Sequence, residues 1–330
     1  MIATELEEEI EQTFSGTPTT VSVIVPSYNH AQFIEATLRS VVKQTLAPAE
    51  LMVIDDGSSD GSPSVIERVL NDCPFPCELL VRDNRGLCAT LNEGFERSAG
   101  NYFAYLGSDD LWLPDFLKAR VRLLESRPDA VLAYGHTYFI DEENRIIDST
   151  ADWATYTDGD VRKMLLQTTA PMSPTVLYRR ETLEHQLWNE ESKLEDYDLY
   201  LRLSEYGPFA FDPGVLSAWR RHSANTSWDQ TLMLNEQLKS QRTAALRFGL
   251  TNEQIEALQR TTRFNRAEDF LRVGEKSQAL NLMVNNLSGA NSTRATARMF
   301  LRLLIPTSIM KRRARIRQRK AFERYGAIDV

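Results

Sequence analysis

The stretch Tyr102-Phe103-Ala104-Tyr105-Leu106-Gly107-Ser108-Asp109-Asp110 decides how the rest of the chain is read. Tyr102 to Leu106 is a short apolar run, the pattern of a buried strand. Gly107 and Ser108 break it, two adjacent carboxylates follow, and Leu111-Trp112-Leu113-Pro114 leads into a helix. Ligands of open α/β sheets bind at the carboxyl ends of parallel strands, where this acidic pair falls. Two carboxylates there must be hydrated, paired or holding a cation, and hard cations with phosphate substrates suit such a pair. An ordinary strand-end turn explains Asp109-Asp110 equally well when the pair is taken alone.

Working outward, the same arrangement recurs. Val21 to Val25 is a β-branched strand ending at Pro26-Ser27-Tyr28-Asn29, and Phe33, Ile34, Leu38, Val41 and Val42 then recur at helical spacing. Leu51 to Ile54 is a second strand, ending in Asp55-Asp56-Gly57-Ser58-Ser59-Asp60-Gly61, and Ser62-Pro63 starts the next helix. Leu79 to Val81 is a third, ending in Arg82-Asp83-Asn84-Arg85-Gly86, with a helix from Leu87 to Ala99. Strand and helix thus alternate four times, the signature of a parallel sheet covered on both faces. All four polar clusters then lie along one sheet edge and outline a binding crevice. No Gly-x-Gly-x-x-Gly follows the first strand and no P-loop motif occurs. A nucleotide would need its diphosphate on a metal instead of a glycine-rich helix start.

At 330 residues, with 42% hydrophobic and 25% charged residues, the composition is that of an ordinary globular protein. Residues 1–20 read as an acidic lead-in with no secretion signal. No stretch approaches the roughly 20 apolar residues of a membrane span. Three cysteines, Cys73, Cys77 and Cys88, suggest reduced thiols in a cytoplasm, and Cys73 and Cys77 lack the further ligands a zinc site needs. Net charge is −8, yet from Arg294 onward eleven bases face two acids.

After Pro114 the pattern changes. Ala130 to Ile140 is strand-like, and His136 within it reads as a partly buried strand histidine. Met172 to Arg180 is a loop feeding a strand. In Leu194-Glu195-Asp196-Tyr197-Asp198, the acids stand at the start of a helix whose apolar face is Leu199, Leu203 and Tyr206. Exposed amides and the helix dipole favour carboxylates at that position, which is a complete structural explanation by itself. Val215 to His222 is a strand entering a loop, followed by Asn225-Thr226-Ser227.

Together, Val23-Ile24-Val25-Pro26-Ser27-Tyr28-Asn29, Val53 to Asp60, Asn84-Arg85-Gly86 and Gly107-Ser108-Asp109-Asp110 resemble the ordered motifs of family-2 glycosyltransferases of the GT-A fold, over roughly Val21 to Ser227. The resemblance implies a Rossmann-like α/β mixed sheet flanked by helices, here spanning 21–230, with an α-helical C-terminal extension at 231–330. It also implies a nucleoside-diphosphate sugar donor, UDP being the first expectation, a divalent Mn2+ or Mg2+, and inversion at the anomeric carbon. By the same resemblance Pro26, Tyr28, Asp56 and Arg85 border the base and ribose, and Asp109 the ribose or diphosphate. The metal falls to Asp110 above all, with Asp109 and His222. Asp196 is the expected catalytic base, and Glu195 orients the acceptor. The acceptor would be a hydroxyl of a glycan or glycolipid in bacterial surface polysaccharide synthesis. A nucleotidyltransferase or a non-catalytic sugar-binding module are the alternative readings.

Beyond Trp228 the sequence reads as short amphipathic helices at 232–248, 252–262, 263–273 and 277–287. An apolar segment with arginines, Ala295 to Ile309, precedes the basic run Lys311 to Lys320. That order suggests an interfacial anchor on an anionic membrane surface, hence a peripheral place on the inner face of the membrane. Nucleic acid is the weaker partner, since only Phe322 and Tyr325 interleave with the bases.

Overall fold

The computed structural model describes residues 19–223, 229–290 and 292–330. The lead-in at 1–20, except Thr19 and Thr20, and Asn225-Thr226-Ser227 lie outside the described residues. The strands are β1 (Val21–Ser27), β2 (Glu50–Asp55), β3 (Cys77–Val81), β4 (Tyr102–Tyr105), β5 (Leu111–Trp112), β6 (Leu132–Ile140), β7 (Ile146–Ser149), β8 (Leu177–Arg179) and β9 (Phe209–Arg220). The helices are α1 (Ile34–Val42), α2 (Ser62–Leu70), α3 (Leu87–Arg97), α4 (Phe116–Ser126), α5 (Arg162–Leu166), α6 (Arg180–Leu183), α7 (Glu195–Leu203), α8 (Gln230–Arg247), α9 (Asn252–Val273), α10 (Lys276–Asn285), α11 (Thr293–Leu304) and α12 (Thr307–Tyr325).

One mixed sheet runs β3-β2-β1-β4-β8-β6-β9-β5, with β7 attached to β6. β1 to β4 are mutually parallel, as the four strand–helix repeats require. All seven residues of β1 are buried, which fits its central place and its unbroken apolar run. One face packs α1 through Ile34 and Leu38 onto Val23 and Val25. The other packs α7 through Tyr197, Leu199 and Tyr200 onto Tyr105, Leu132 and Tyr134. Parallel strands put the loops after Ser27, Asp55, Val81 and Tyr105 on one edge. These loops pack closely: Gly57 has φ +81°, and a methyl group there would lie 3.0 Å from the Asn84 backbone nitrogen.

Beyond β4 the chain turns antiparallel. β4 pairs β8, and β5, directly after Asp110, pairs the end of β9 with Leu111 opposite Ala218. That pairing brings the Asp109-Asp110 turn against Arg220 and the loop after it.

Several expectations are corrected. The apolar face of α7 does not extend to Tyr206: the helix ends at Leu203, and Tyr206 is exposed, stacked on His185. The segments 252–262 and 263–273 are one helix, α9, because no glycine or proline interrupts them. A capping box at Thr251 and Gln254 starts α9, and left-handed Gly274 ends it. Cys73 and Cys77 are not free thiols. The Pro74-Phe75-Pro76 turn brings their Cα atoms to 6.8 Å, and a disulfide joins them. Cys88 is free and buried.

The C-terminal helices are not a loose tail either. α8 and the start of α9 join the larger sheet core through Ala244, Ala245 and Ile255, while Phe264, Phe270, Met283 and Met299 form a core of their own. No residue of α12 is buried. The segment after α12 nevertheless returns to the sheet as a strap. Gly326 O accepts from Ile146 N (3.0 Å), and Ile328 N donates to Asn144 O (3.0 Å). Tyr325, Ile328 and Val330 cover the apolar patch of Leu111, Ile140 and Ala218.

Candidate active site

The first two strand ends are stitched together. Asn29 N donates to Ser58 Oγ, Ser59 N to Asn29 Oδ1, and Ala31 N to Asp60 Oδ2, each at 2.8 Å. Asp55 is fully buried and accepts from Ser58 N and Ser58 Oγ, so it shapes the turn and faces no ligand. Asp56 is also buried. It accepts from Arg85 N (2.9 Å), Gly86 N (2.7 Å) and the Arg82 guanidinium. Three donors fill most of the roughly four lone-pair positions of a carboxylate, so Asp56 chiefly holds the 84–86 loop against the second strand end. Arg82, which carries no motif signal, also donates to Thr90 Oγ1 (2.7 Å). Tyr28 is half exposed at the crevice, Arg85 is largely exposed with one bond to Glu93, and Pro26 is buried within β1 opposite Ile54.

Beside them the turn after β4 meets the end of β9. His222 Nε2 lies 2.8 Å from Asp109 Oδ2, and His30 Nδ1 lies 2.8 Å from Ser108 Oγ and 4.0 Å from Asp109 Oδ1. One ligand atom from each of His30, Asp109 and His222 falls within 4.8 Å of the others, a spacing that accommodates a cation. Burial lowers the His30 pKa, outweighing the Asp109 charge. The ring is therefore neutral near pH 7, the form that ligates metals. His30 was not singled out in the sequence, although it directly follows the Tyr28-Asn29 cluster.

Asp110 faces another way. Its Oδ1 accepts from the Arg220 backbone N–H (2.9 Å). Burial and the adjacent Asp109 hold its carboxyl well above the usual range. The structure thus brings Asp109 and His222 together with His30, while Asp110 Oδ1 is taken up by the Arg220 amide. Arg220 is the support beneath them. Its guanidinium is buried over the Phe33 ring and donates to Asp109 O, Asp141 O and Asn144 Oδ1, each at 2.7 Å. Gly107 is small for a reason: a methyl group there would lie 3.0 Å from Asp109 Oδ1 and 3.1 Å from Asp110 Oδ2.

Glu195 and Asp196 open α7. Leu194 precedes them without a capping side chain, so the acids themselves stand among the unpaired helix amides. The Tyr105 hydroxyl, from β4, donates to Asp196 Oδ1 at 2.5 Å. Burial lifts Asp196 to about 6, against the lowering effect of Tyr105, and burial together with the Asp196 charge lifts Glu195 to about 8. At neutral pH the coupled pair therefore holds one proton between its two carboxyls. Two carboxyls whose environments push them apart can take different parts in proton transfer. Tyr105, which holds Asp196, ends the strand that leads into the Asp109-Asp110 turn, so the start of α7 lies at the same strand end.

A family model described as glycosyl transferase family 2 matches residues 22–187. The chain belongs to that family. Its curated relatives are themselves glycosyltransferases. Over 168 residues it is 31% identical to an uncharacterized glycosyltransferase of Nostoc sp., covering 50% of this chain and 52% of that protein. Over 230 residues it is 28% identical to the chondroitin synthase of Escherichia coli, covering 67% of this chain and 32% of that protein. The chain thus spans about half or less of the length of these relatives. Among solved structures, S. aureus TarS in complex with UDP-GlcNAc superposes with a TM-score of 0.60 at 16% identity, covering 93% of this chain and 91% of that one. The Pyrobaculum calidifontis mannosyltransferase PcManGT, in complex with GDP-Man and Mn2+, gives 0.58 at 16%, covering 98% and 93%. The fold is accordingly the GT-A fold of family 2, extended through the C-terminal helices.

Proposed function

We propose that this chain is an inverting, metal-dependent glycosyltransferase, moving a sugar from a nucleoside-diphosphate donor to a glycan or glycolipid hydroxyl in bacterial polysaccharide synthesis. The observation that carries the reading is the placing of buried Asp196, held by Tyr105 of β4, at the same strand end that carries the Asp109, His222 and His30 cluster. Two imidazoles and one carboxylate suit a borderline cation such as Mn2+ better than Mg2+, which favours oxygen donors and a large share of water. A cation held by His30, Asp109 and His222 would neutralise charge building on the leaving diphosphate.

The chain's own residues do the rest. Asp196 accepts the proton of the acceptor hydroxyl as that oxygen bonds the anomeric carbon. The bond from that carbon to the diphosphate breaks, and its electron pair leaves with the diphosphate. A base that titrates near 6 is ionised at neutral pH without being too weak to take the proton. Tyr105 fixes the Asp196 carboxylate, and protonated Glu195 donates a hydrogen bond to the acceptor. Tyr28 offers its exposed ring to the nucleobase, while Asp56 and Arg82 hold the loop carrying Arg85. UDP is the first donor to test and GDP the second.

Calorimetric titration of UDP and GDP, with and without Mn2+, tests the donor half. Manganese-dependent binding that disappears in Asp109→Ala is the expected result, and no binding of either nucleotide by wild type counts against the reading. Donor hydrolysis lost in Asp196→Asn with nucleotide binding intact separates an enzyme from a binding module.

The same reading sets a cytoplasmic, peripheral enzyme on an anionic membrane face. Among the described residues no helix is long and apolar enough to cross a membrane. Exposed Leu301, Leu304 and Ile309 precede the outward bases of α12, which supports an interfacial contact. Flotation with anionic vesicles should fall in Leu301→Ser/Leu304→Ser, and equal flotation of that variant removes the contact.

A further inference from the structure

The end of β9 carries a second group of residues that the donor and metal sites do not use. β6–β9 register sets Phe139 opposite Trp219, and β6–β7 register sets Phe139 opposite Asp148, so the three share one sheet face. Arg221, two residues after Trp219, falls on that face as well. The alternate residues Ile140 and Ala218 pack on Ala36 of α1. Arg220 lies over Phe33 at the start of α1, so Trp219 and Arg221 turn to the other side of β9.

On this face Phe139 is buried beneath more open indoles. Trp153 is 59% exposed and stacks on Phe139 with ring centroids 6.2 Å apart. Trp219 meets the same Phe139 ring edge-on at 5.5 Å. The Arg221 guanidinium lies over Phe139 at 4.2 Å. It makes no hydrogen bond or ion pair among the described residues, whereas its neighbour Arg220 is fully engaged. Arg221 also directly precedes His222, so its position is one residue from the candidate metal cluster. Asp148, Arg272 and Arg317 are the charged groups felt at Arg221.

An open indole and an uncommitted, partly desolvated guanidinium are complementary to a sugar ring that bears negative charge. The indole stacks on the apolar face of the ring, and the guanidinium forks onto phosphate or carboxylate oxygens. We propose that Trp153, Trp219 and Arg221 form an acceptor-side subsite for a glycan carrying an anionic substituent, a phosphate or a carboxylate. The proposal rests on the glycosyltransferase reading above and assigns the chemical class of its acceptor.

The test is equilibrium binding of defined glycans to the full chain in the presence of UDP and Mn2+. The probes are an oligogalacturonate, a phosphorylated manno-oligosaccharide, and neutral galacto- and manno-oligosaccharides of equal length. Wild type should bind at least one anionic probe about tenfold or more tightly than its neutral counterpart, the worth of one charge-assisted pair. Whichever anionic probe binds more tightly identifies the substituent. Arg221→Gln should abolish that preference, and Arg221→Lys should restore part of it. Trp153→Ala, at an exposed position, should weaken charged and neutral probes alike by about three- to tenfold. Equal binding of anionic and neutral probes, no binding of any probe, or wild-type affinity in both Arg221→Gln and Trp153→Ala overturns the proposal. Manganese-dependent UDP binding, read in the same samples, separates this failure from failure of the donor site: only the latter loses the nucleotide.

Discussion

Replacing Tyr105 with phenylalanine removes one atom from the site, the hydroxyl that donates to Asp196 Oδ1 at 2.5 Å. Tyr105 is buried, and the ring it leaves behind still packs against Trp188, so the fold should survive the change. A hydrogen bond to a charged group contributes about 1.5–3 kcal/mol. It favours the ionised carboxylate, and about 1.4 kcal/mol corresponds to one pH unit. Losing the bond should therefore move the titration of Asp196 from about 6 upward by roughly one to two pH units. Because Asp196 must be ionised to accept a proton, the acid limb of the pH–rate profile should move up by the same amount. At pH 7 the ionised share should fall from about nine-tenths to between about a half and a tenth, a two- to ninefold loss of rate. The loss should vanish above about pH 9. The assay is manganese-dependent hydrolysis of a nucleotide-sugar donor across pH 5 to 9.5, with thermal melting as a check on folding. A folded variant whose acid limb stays in place, or whose loss persists at high pH, would refute the assignment of Asp196 as the base held by Tyr105.

Asp109→Asn should abolish manganese-dependent nucleotide binding. Asp110→Asn should largely keep it, since the amide oxygen can still accept from Arg220 N; calorimetry of the two variants side by side decides, and equal loss in both counts against the His30, Asp109 and His222 cluster. Gly107→Ala should weaken Mn2+ binding about tenfold or more with little change in melting temperature, because the added methyl presses on two flexible carboxylates. Asp196→Asn should melt higher than wild type at pH 8. Burial has raised the folded-state pKa of Asp196 above its unfolded value, so wild type loses stability as pH rises from about 4 through about 6. The advantage of the asparagine variant should fade below about pH 4, and an advantage that persists there would refute the sign.

Much of this site was legible because it depends on strand ends. The polar clusters at Tyr28-Asn29, Asp55-Asp56, Asn84-Arg85 and Asp109-Asp110 follow apolar runs, and parallel strands leave them no other edge to occupy. Glu195 and Asp196 were legible as a helix start. What the sequence hid depends on contacts between distant segments. His30 follows a cluster that was recognised, yet only the meeting of the β1 and β9 ends puts it beside His222. The inward turn of Asp110 depends on the Arg220 amide from a strand more than a hundred residues later. Asp56 reads as an open acceptor until Arg82 and two loop amides are seen to occupy it. The outward α12 was legible as a basic run, but the strap beyond it was not, since Gly326 to Val330 carries no pattern a linear reading could catch.

That strap imposes an order of assembly. Ile328 donates to the carbonyl of Asn144, and the Asn144 side chain holds Arg220, which in turn fixes Asp109 and Asp110. During synthesis, β1, β4 and α7 leave the ribosome long before Ile328 does. The sheet can therefore pair early while the turn that Arg220 braces waits for residues translated much later. A nascent chain halted within α12 would have its main core in place and the Asn144 carbonyl without its bond from Ile328. Proteolytic nicking between α12 and Ile328 would return a finished molecule to that same condition.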